Sequence, residues 1–171
     1  MDFDQKATEI FPEFEKMNNF FHRGIGSKKE YGRLHASLLV KIFQTPNFWK
    51  NLEWMPDGKK LVRYVKANFN PDQVGILTAP MPEDIRCRPG KWSWIMNNLG
   101  GWIKREHYFC DLNKERFIKK IDGKMQILID DRTINVLAWR NAGGIAIHHK
   151  DASTTIRELE AIIRTSKVVS K

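Results

Sequence analysis

The second half of the chain alternates short apolar runs with segments of helical periodicity. Four apolar runs have the length of a strand, at residues 74–78, 107–110, 126–129 and 145–148. Apolar residues recur every three or four positions in the helical segments, at residues 90–99, 114–121, 134–141 and from Thr155, where Thr155-x-x-Glu158 matches a capping box. Strands alternating with helices predict an α/β fold, in which helices cover both faces of a parallel sheet.

The first half of the chain has a helical pattern without strands. Apolar residues at helical spacing predict helices over residues 4–21, with a kink or break at Pro12, and over residues 28–44. A third helix is expected to begin at an Asp57 cap. The aromatic-rich stretch from Phe48 to Pro56 either packs between helices, as large apolar side chains usually do, or forms a substrate-facing wall.

Length and composition indicate one globular domain, with room for a small inserted piece. The chain has 171 residues, of which 42% are hydrophobic and 29% charged. We expect no membrane span, because no apolar run approaches the roughly 20 residues that a bilayer requires. The amino terminus lacks a signal-peptide pattern, so Cys87 and Cys110 are expected to be reduced thiols in the cytoplasm, or in the host cytoplasm if the protein is viral.

The chain carries a formal net charge of +9, which favours phosphorylated or polyanionic partners. Its basic residues occur in short scattered clusters rather than in one long tract. Nucleic-acid binding is therefore only weakly indicated, and solvated helical faces are the preferred interpretation.

The strongest chemical signal is the pair Asp130-Asp131, directly after the apolar run at 126–129. In open α/β sheets, ligands bind outside the carboxyl ends of the strands. Carboxylates at that position suit Mg²⁺ and a phosphate that the metal ion carries. The alternative interpretation is an acidic turn after a buried strand.

Four segments in order resemble the haloacid dehalogenase (HAD) superfamily, within it the 5'(3')-deoxyribonucleotidase-like branch common in phages. They are Ile-Leu-Thr78-Ala-Pro, Gly-Lys91-Trp-Ser-Trp, Ile-Leu-Ile-Asp130-Asp-Arg and the stretch from Ala142 to His148. The upstream Phe-Trp-Lys-Asn-Leu at 48–52 and Met-Pro at 55–56 are similar to the same branch. The resemblance covers nearly the whole chain and implies a HAD-like core at residues 55–171 with a small helical cap at residues 1–54.

The resemblance also implies a chemistry, which is Mg²⁺-dependent hydrolysis of a nucleoside or deoxynucleoside monophosphate through an aspartyl phosphate. Thr78 would donate its hydroxyl to a phosphoryl oxygen, and Lys91 would neutralise phosphate and nucleophile. Asp131 would bind the metal ion, with Asp130 as a second ligand or an orienting group. The residues expected to contact substrate are Thr78, Ala79, Lys91 and Trp49. Taken alone, Thr78 also fits a strand-end cap, and Lys91 a surface lysine at a helix start.

The chain departs from the family pattern at the nucleophile. In the family this aspartate follows an apolar first strand, which is central in the sheet, and sits in Asp-x-Asp-Gly. Here Asp2-x-Asp4 has the spacing but no preceding apolar run and no glycine. Three outcomes are open: the flanking strands pair directly, another chain or a second copy supplies a strand, or the natural gene starts upstream. The alternative to an enzyme is an inactive relative that binds a phosphorylated ligand, a nucleic acid or a protein.

Overall fold

The computed structural model describes residues 28–118 and 126–169, with side chains for 32–118 and 126–165. The helix predicted for residues 4–21 lies outside the described residues. The described helices are α1 (Lys28–Gln44), α2 (Gly58–Asn68), α3 (Cys87–Leu99), α4 (Thr133–Asn141) and α5 (Ala152–Val169). The described strands are β1 (Ile76–Thr78), β2 (Tyr108–Cys110), β3 (Ile127–Asp130) and β4 (Ile145–His148). The predicted α/β class with parallel strands is therefore confirmed at this coarse level.

The chain divides into two compact units. The first unit comprises Met1–Met55 and Pro80–Ile103, and the second comprises Pro56–Ala79 and Lys104–Lys171. Every described strand belongs to the second unit. The assignment of residues 1–54 as a cap and 55–171 as a core stays a prediction. None of the described helices combines the length and the apolar character that crossing a membrane requires.

The first unit is built on the packing of α1, the aromatic stretch and α3. One face of α1 buries residues four positions apart, namely Leu34, Leu38 and Ile42. The indole nitrogen of Trp94, on α3, donates to the carbonyl of Leu52 at 2.5 Å. The aromatic residues after position 47 thus pack against a helix, as the more conservative interpretation of that stretch expected.

The second unit contains two separate parallel ladders. β1 pairs with β2 in a register that sets Leu77 opposite Phe109, and β3 pairs with β4 in a register that sets Leu128 opposite Ala146. Over residues 28–118 and 126–169, β1 and β3 do not pair with each other. Direct pairing of β1 with β3, one of the three outcomes left open by the sequence, is therefore not observed in this part of the chain.

One apolar cluster joins the two ladders. Buried side chains from β3, α4 and β4 form its centre, and partly buried side chains from β1 and from the turn after β2 pack against it. The central members are Leu128, Val136, Trp139 and Ala146, and the surrounding ones are Leu77, Phe117 and Ile118. Because side chains from both ladders reach this cluster, it is an apolar core that the two ladders share.

One predicted helix start is wrong, and the side chain of one predicted cap binds a different helix. α5 begins at Ala152 rather than at Thr155, which is buried within the helix. Asp57 does not cap its own helix, because its carboxylate accepts the backbone N–H of Ala152. Asp151 accepts the N–H of Thr154 at 2.9 Å. The carboxylates of Asp57 and Asp151 thus accept backbone N–H groups in the first turn of α5, which have no partner inside the helix.

Gly144 is expected to be indispensable for the core of the second unit. A Cβ at this position would lie 2.2 Å from Nε1 of Trp139, whose ring is buried. Gly144→Ala should therefore lower the free energy of unfolding by about 1–3 kcal/mol through overpacking. The measurement is chemical denaturation.

The matched control is Gly32→Ala, where an added Cβ meets nothing within 4 Å and the backbone is helical. This control should raise stability by about 0.5–1 kcal/mol, the usual gain of alanine over glycine in a helix. Equal effects of the two substitutions would contradict the packing that the structure shows around Trp139.

Candidate functional site

The carboxylate of Asp130 is buried at the carboxyl end of β3 and accepts hydrogen bonds at both oxygens. Its Oδ2 pairs with Nζ of Lys114. Its Oδ1 accepts the backbone N–H of Arg132 and the side-chain amide of Asn135, each at 2.9 Å. Because all three partners donate, they hold the carboxylate in a fixed orientation.

Lys114 is a site residue that the sequence interpretation missed. It lies in the short 3-10 turn Lys114–Phe117, where a longer helix was expected, and its side chain is buried. Phe117 fixes this turn, since its ring lies 4.9 Å from that of Phe109 on β2 and packs on the cluster. The position of Lys114 thus depends on contacts that are distant in sequence from β3. A buried lysine in a polar turn carries no local sequence signal.

Asp131 is exposed, and its backbone is supported by β4. Nε2 of His148 lies 2.9 Å from the carbonyl oxygen of Asp131. A carbonyl only accepts, so Nε2 carries the proton and donates. His148 ends β4 and stands opposite Asp130 in the ladder. His148 thus supports the backbone of the acid pair, a role that the sequence analysis did not assign to it.

The remaining predicted site residues fall into two groups. Thr78 ends β1 in the second unit, followed by Ala79, and the carbonyl of Thr78 accepts the N–H of Asp111 at 2.9 Å. In the first unit, Nζ of Lys91 lies 5.2 Å from the ring centroid of Trp49. The expected convergence of these two groups stays a prediction.

Lys91 does not have the environment of a surface lysine at a helix start, which was the simpler interpretation of the sequence. Its helix begins three residues before Gly90, so Lys91 lies in the second turn, and the residue is only 9% exposed. Lys91 is therefore not a surface lysine at a helix start. Its ammonium nitrogen lies over the ring of Trp49, which is an ordinary way to accommodate a buried ammonium group.

The acid pair offers hard oxygen ligands for a metal ion. Within residues 28–118 and 126–169, no group of three or more His, Cys, Asp or Glu side chains is placed to hold a metal. Mg²⁺ often takes only one or two protein carboxylates and keeps water and phosphate oxygens as its other ligands. The exposed Asp131 fits this mode of binding, whereas Asp130 is occupied by its three donors and fits an orienting role.

A second buried carboxylate, Asp84, organises the first unit. The guanidinium of Arg86 contacts both carboxylate oxygens, at 2.8 and 3.0 Å, and Nε1 of Trp49 donates to Oδ2 at 2.9 Å. The same guanidinium donates to the carbonyls of Ile42 and Phe43 near the end of α1. Burial by itself would raise the pKa of Asp84, but the bonds from Arg86 and Trp49 outweigh it and hold the pKa below its usual value.

A cleft of about 490 Å³ lies elsewhere in the second unit, between α2 and α5. Its lining consists of Tyr64, Asn68, Phe69, Gln73, Glu160, Ile163 and Arg164. None of the predicted site residues is among them. Burial and the neighbouring carboxylate of Glu160 raise the pKa of Tyr64, so its hydroxyl is protonated at neutral pH. The cleft therefore shares no lining residue with the acid pair Asp130-Asp131.

Comparison of the chain with models of protein families, with curated proteins and with solved structures found no match. The family resemblance drawn from the sequence therefore stays a hypothesis. The function has to be argued from the site itself, in particular from the bonds around Asp130.

Asp84 should make the stability of the protein depend on pH in the acid range. Its pKa is lowered in the folded state, so the stabilisation is complete above the unfolded-state value, near 3.9. The stabilisation is lost as the pH falls below that value and through the folded-state pKa. Asp84→Asn should therefore flatten the fall in unfolding free energy between about pH 5 and pH 2.

Denaturation at a series of pH values measures this effect. Glu83→Gln, at the exposed neighbouring position, is the matched control and should keep the wild-type profile. Identical pH profiles for wild type and Asp84→Asn would show that the Arg86 and Trp49 bonds do not stabilise the fold.

The ion pair between Lys114 and Asp130 should be strongly coupled. Lys114→Met leaves a buried carboxylate without its cation, which costs about 3–5 kcal/mol in comparable pairs. The double variant Lys114→Met/Asp130→Asn should lose clearly less than the sum of the single variants. The free energy of unfolding of all four proteins gives the coupling energy.

The exposed ion pair of Lys104 and Asp72 is the control for the buried pair of Lys114 and Asp130. Lys104→Met should destabilise the protein far less than Lys114→Met, because solvent screens the exposed pair. Additive losses for Lys114 and Asp130, with no coupling between them, would contradict the buried contact described here.

Proposed function

We propose that the chain is a HAD-like phosphohydrolase domain, similar to a Mg²⁺-dependent 5'-nucleotidase, that binds a nucleoside or deoxynucleoside monophosphate. One observation carries the proposal. The buried carboxylate of Asp130 accepts three hydrogen bonds, and it lies beside the exposed Asp131 at the end of β3. A carboxylate that only caps a turn needs no buried lysine. An organised acid–base cluster at a strand end is typical of a binding or catalytic site.

In this proposal each residue of the cluster has a separate role. Asp131 binds Mg²⁺, and Asp130 orients its neighbours through the bonds that it accepts. Lys114 contributes positive charge where a phosphoryl group would sit, which complements the charge that phosphoryl transfer spreads over oxygen atoms. Bound Mg²⁺ would supply further positive charge to the same oxygens.

The other predicted residues complete the proposed site. Thr78 donates its hydroxyl to a phosphoryl oxygen, with Ala79 beside it. Lys91 supplies a second cation, and the ring of Trp49, which is only 4% exposed, holds the ammonium group of Lys91 in place. The 9% exposure of Lys91 and its contact with Trp49 support a paired role for these two residues.

A second candidate function is phosphate binding without turnover. The observation in its favour is that Asp130, the carboxylate beside Asp131, accepts bonds at both oxygens, so neither oxygen is free to attack a phosphoryl group. The Asp2-x-Asp4 segment, which has the nominal spacing of the nucleophile motif, lies outside the described residues. The two candidates share one ligand class and differ in whether the phosphate ester is cleaved.

Hydrolysis of nucleoside monophosphates with Mg²⁺ tests the proposal. Asp131→Asn should reduce turnover by about 100-fold or more, since loss of a charge-stabilising group costs that much in comparable sites. Asp72→Asn, an exposed acid in the same unit, should leave turnover unchanged.

Binding measurements on the same proteins separate the two candidates. Turnover that depends on Asp131 would exclude the inactive alternative. Mg²⁺-dependent binding of a nucleoside monophosphate without turnover would exclude the enzyme. If neither turnover nor binding is found, or if Asp131→Asn changes neither, the proposed site is wrong.

A further inference from the structure

One face of α2 carries a row of positive charges. Lys59, Arg63 and Lys66 follow one another at spacings of four and three residues, so they share one side of the helix. All three residues are exposed. α2 contains no acidic residue that could neutralise them within the helix. These three residues, called here the cationic row, concentrate positive charge on one surface of the second unit.

The apolar side chains of α2 are turned toward the protein. Leu61, Val62 and Val65 are partly buried, and no large apolar side chain of this helix is exposed. A helix that binds a membrane surface inserts an apolar face between the lipids. α2 has no such face to offer, because its apolar side chains are already covered within the second unit. The cationic row is thus suited to a partner that presents phosphate groups in water.

The same helix borders the cleft of about 490 Å³ between α2 and α5. Tyr64 and Asn68 line this cleft, and they follow Arg63 and Lys66 by one and two positions. The cleft and the cationic row are therefore presented by the same two turns of helix. The volume falls within the range of small-molecule sites, so the cleft has room for a nucleotide-sized group.

The walls of the cleft combine aromatic rings with polar groups. Tyr64 and Phe69 offer their rings to a flat ligand. Gln73 and Arg164 supply hydrogen-bond donors, and Glu160 supplies an acceptor. A nucleobase has two flat faces, which stack on aromatic side chains, and an edge that both donates and accepts hydrogen bonds. The cleft therefore has the groups that recognition of a base requires.

A base can enter such a cleft only when it is unstacked and unpaired. Neighbouring bases cover its faces in a duplex, whereas a single strand can turn a base out onto an aromatic side chain. Proteins that bind single strands combine a basic surface along the backbone with aromatic rings for the bases. The surface formed by α2 and the cleft contains both components.

We propose that α2 and the cleft beside it bind single-stranded nucleic acid. Lys59, Arg63 and Lys66 contact phosphate groups of the strand, and one base lies in the cleft against the rings of Tyr64 and Phe69. The net charge of +9 attracts the strand to the protein. This inference does not rest on the proposed phosphate site, since none of these residues belongs to it.

Fluorescence anisotropy of a labelled DNA strand of about ten nucleotides, added to the full chain, tests the inference. A chelator is present, so that no divalent ion occupies the Mg²⁺ site proposed at Asp131. The strand should bind about 5-fold or more tightly than an abasic strand of the same length, which keeps the phosphates and lacks the bases. The affinity for both strands should fall steeply as the salt concentration rises.

Two substitutions separate the two components of the surface. Phe69→Leu removes the ring but keeps an apolar side chain, so it should weaken binding of the normal strand about 5-fold or more and leave binding of the abasic strand and of a duplex unchanged. Arg63→Gln should weaken binding of all three probes and make their salt dependence shallower. Arg33→Gln is the matched control, since it removes the same charge from an exposed position in the first unit, and it should keep the wild-type affinity.

Equal affinity of the wild-type protein for the normal and abasic strands would overturn the proposal, and this comparison holds whether or not Phe69→Leu folds. Absence of binding at low salt would overturn it as well. If a nucleoside monophosphate competes as effectively as the strand, the cleft is a site for a free nucleotide instead. If Arg63→Gln loses binding to phosphatidylserine vesicles but not to DNA, the cationic row belongs to a membrane-binding surface.

Discussion

The contact between Lys114 and Asp130 connects most of what is distinctive in the second unit. Burying two charges is costly, and the cost is offset only when further bonds satisfy the remaining atoms. Here Asn135 on α4 and the backbone after β3 supply those bonds. The lysine comes from the turn that follows β2, so one ion pair ties the β1–β2 ladder to the β3–β4 ladder. The interaction that positions the acid pair is thus also one that holds the fold together.

The sequence predicted the elements of the second unit well and their caps poorly. Apolar periodicity is a local property, and it placed β4 at its observed bounds and β3 within one residue of them. Capping by Asp57 could not be predicted, because its carboxylate binds a helix start 95 positions along the chain. The longer helix expected from residue 114 is a short 3-10 turn, whose end packs on Phe109. At both positions, contacts between residues distant in sequence outweigh the preference of the local sequence pattern.

In the candidate site, too, some residues could be found from the local sequence and others only from the fold. Asp130 and Asp131 could be found because an apolar run ends in two acids, a pattern visible in eight consecutive residues. Lys114 and His148 could not, since their roles arise from a turn and a ladder that only the fold brings to Asp130 and Asp131. The pairing of Lys91 with Trp49 likewise depends on packing between α3 and the 3-10 turn Phe48–Lys50.

A hydrogen-bonded backbone, a paired charge and an exposed carboxylate coincide at the end of β3. Asp130 is held by α4, by the turn Lys114–Phe117 and by the backbone after β3. None of these bonds comes from β1, so the orientation of Asp130 does not depend on that strand. Asp131 therefore presents its carboxylate beside a fixed neighbour, which is the arrangement that a binding site at a strand end requires.

We propose that Asp131, held beside the Lys114–Asp130 pair, binds a metal ion together with a phosphate group. The decisive experiment is titration of the isotope-labelled protein with Mn²⁺ in place of Mg²⁺, followed through paramagnetic broadening of the backbone amide signals. The amide signals of Asp131, Arg132 and Asn135 should broaden selectively, and excess Mg²⁺ should reverse the broadening. Broadening centred elsewhere, or none at millimolar Mn²⁺, would show that the proposed site is wrong.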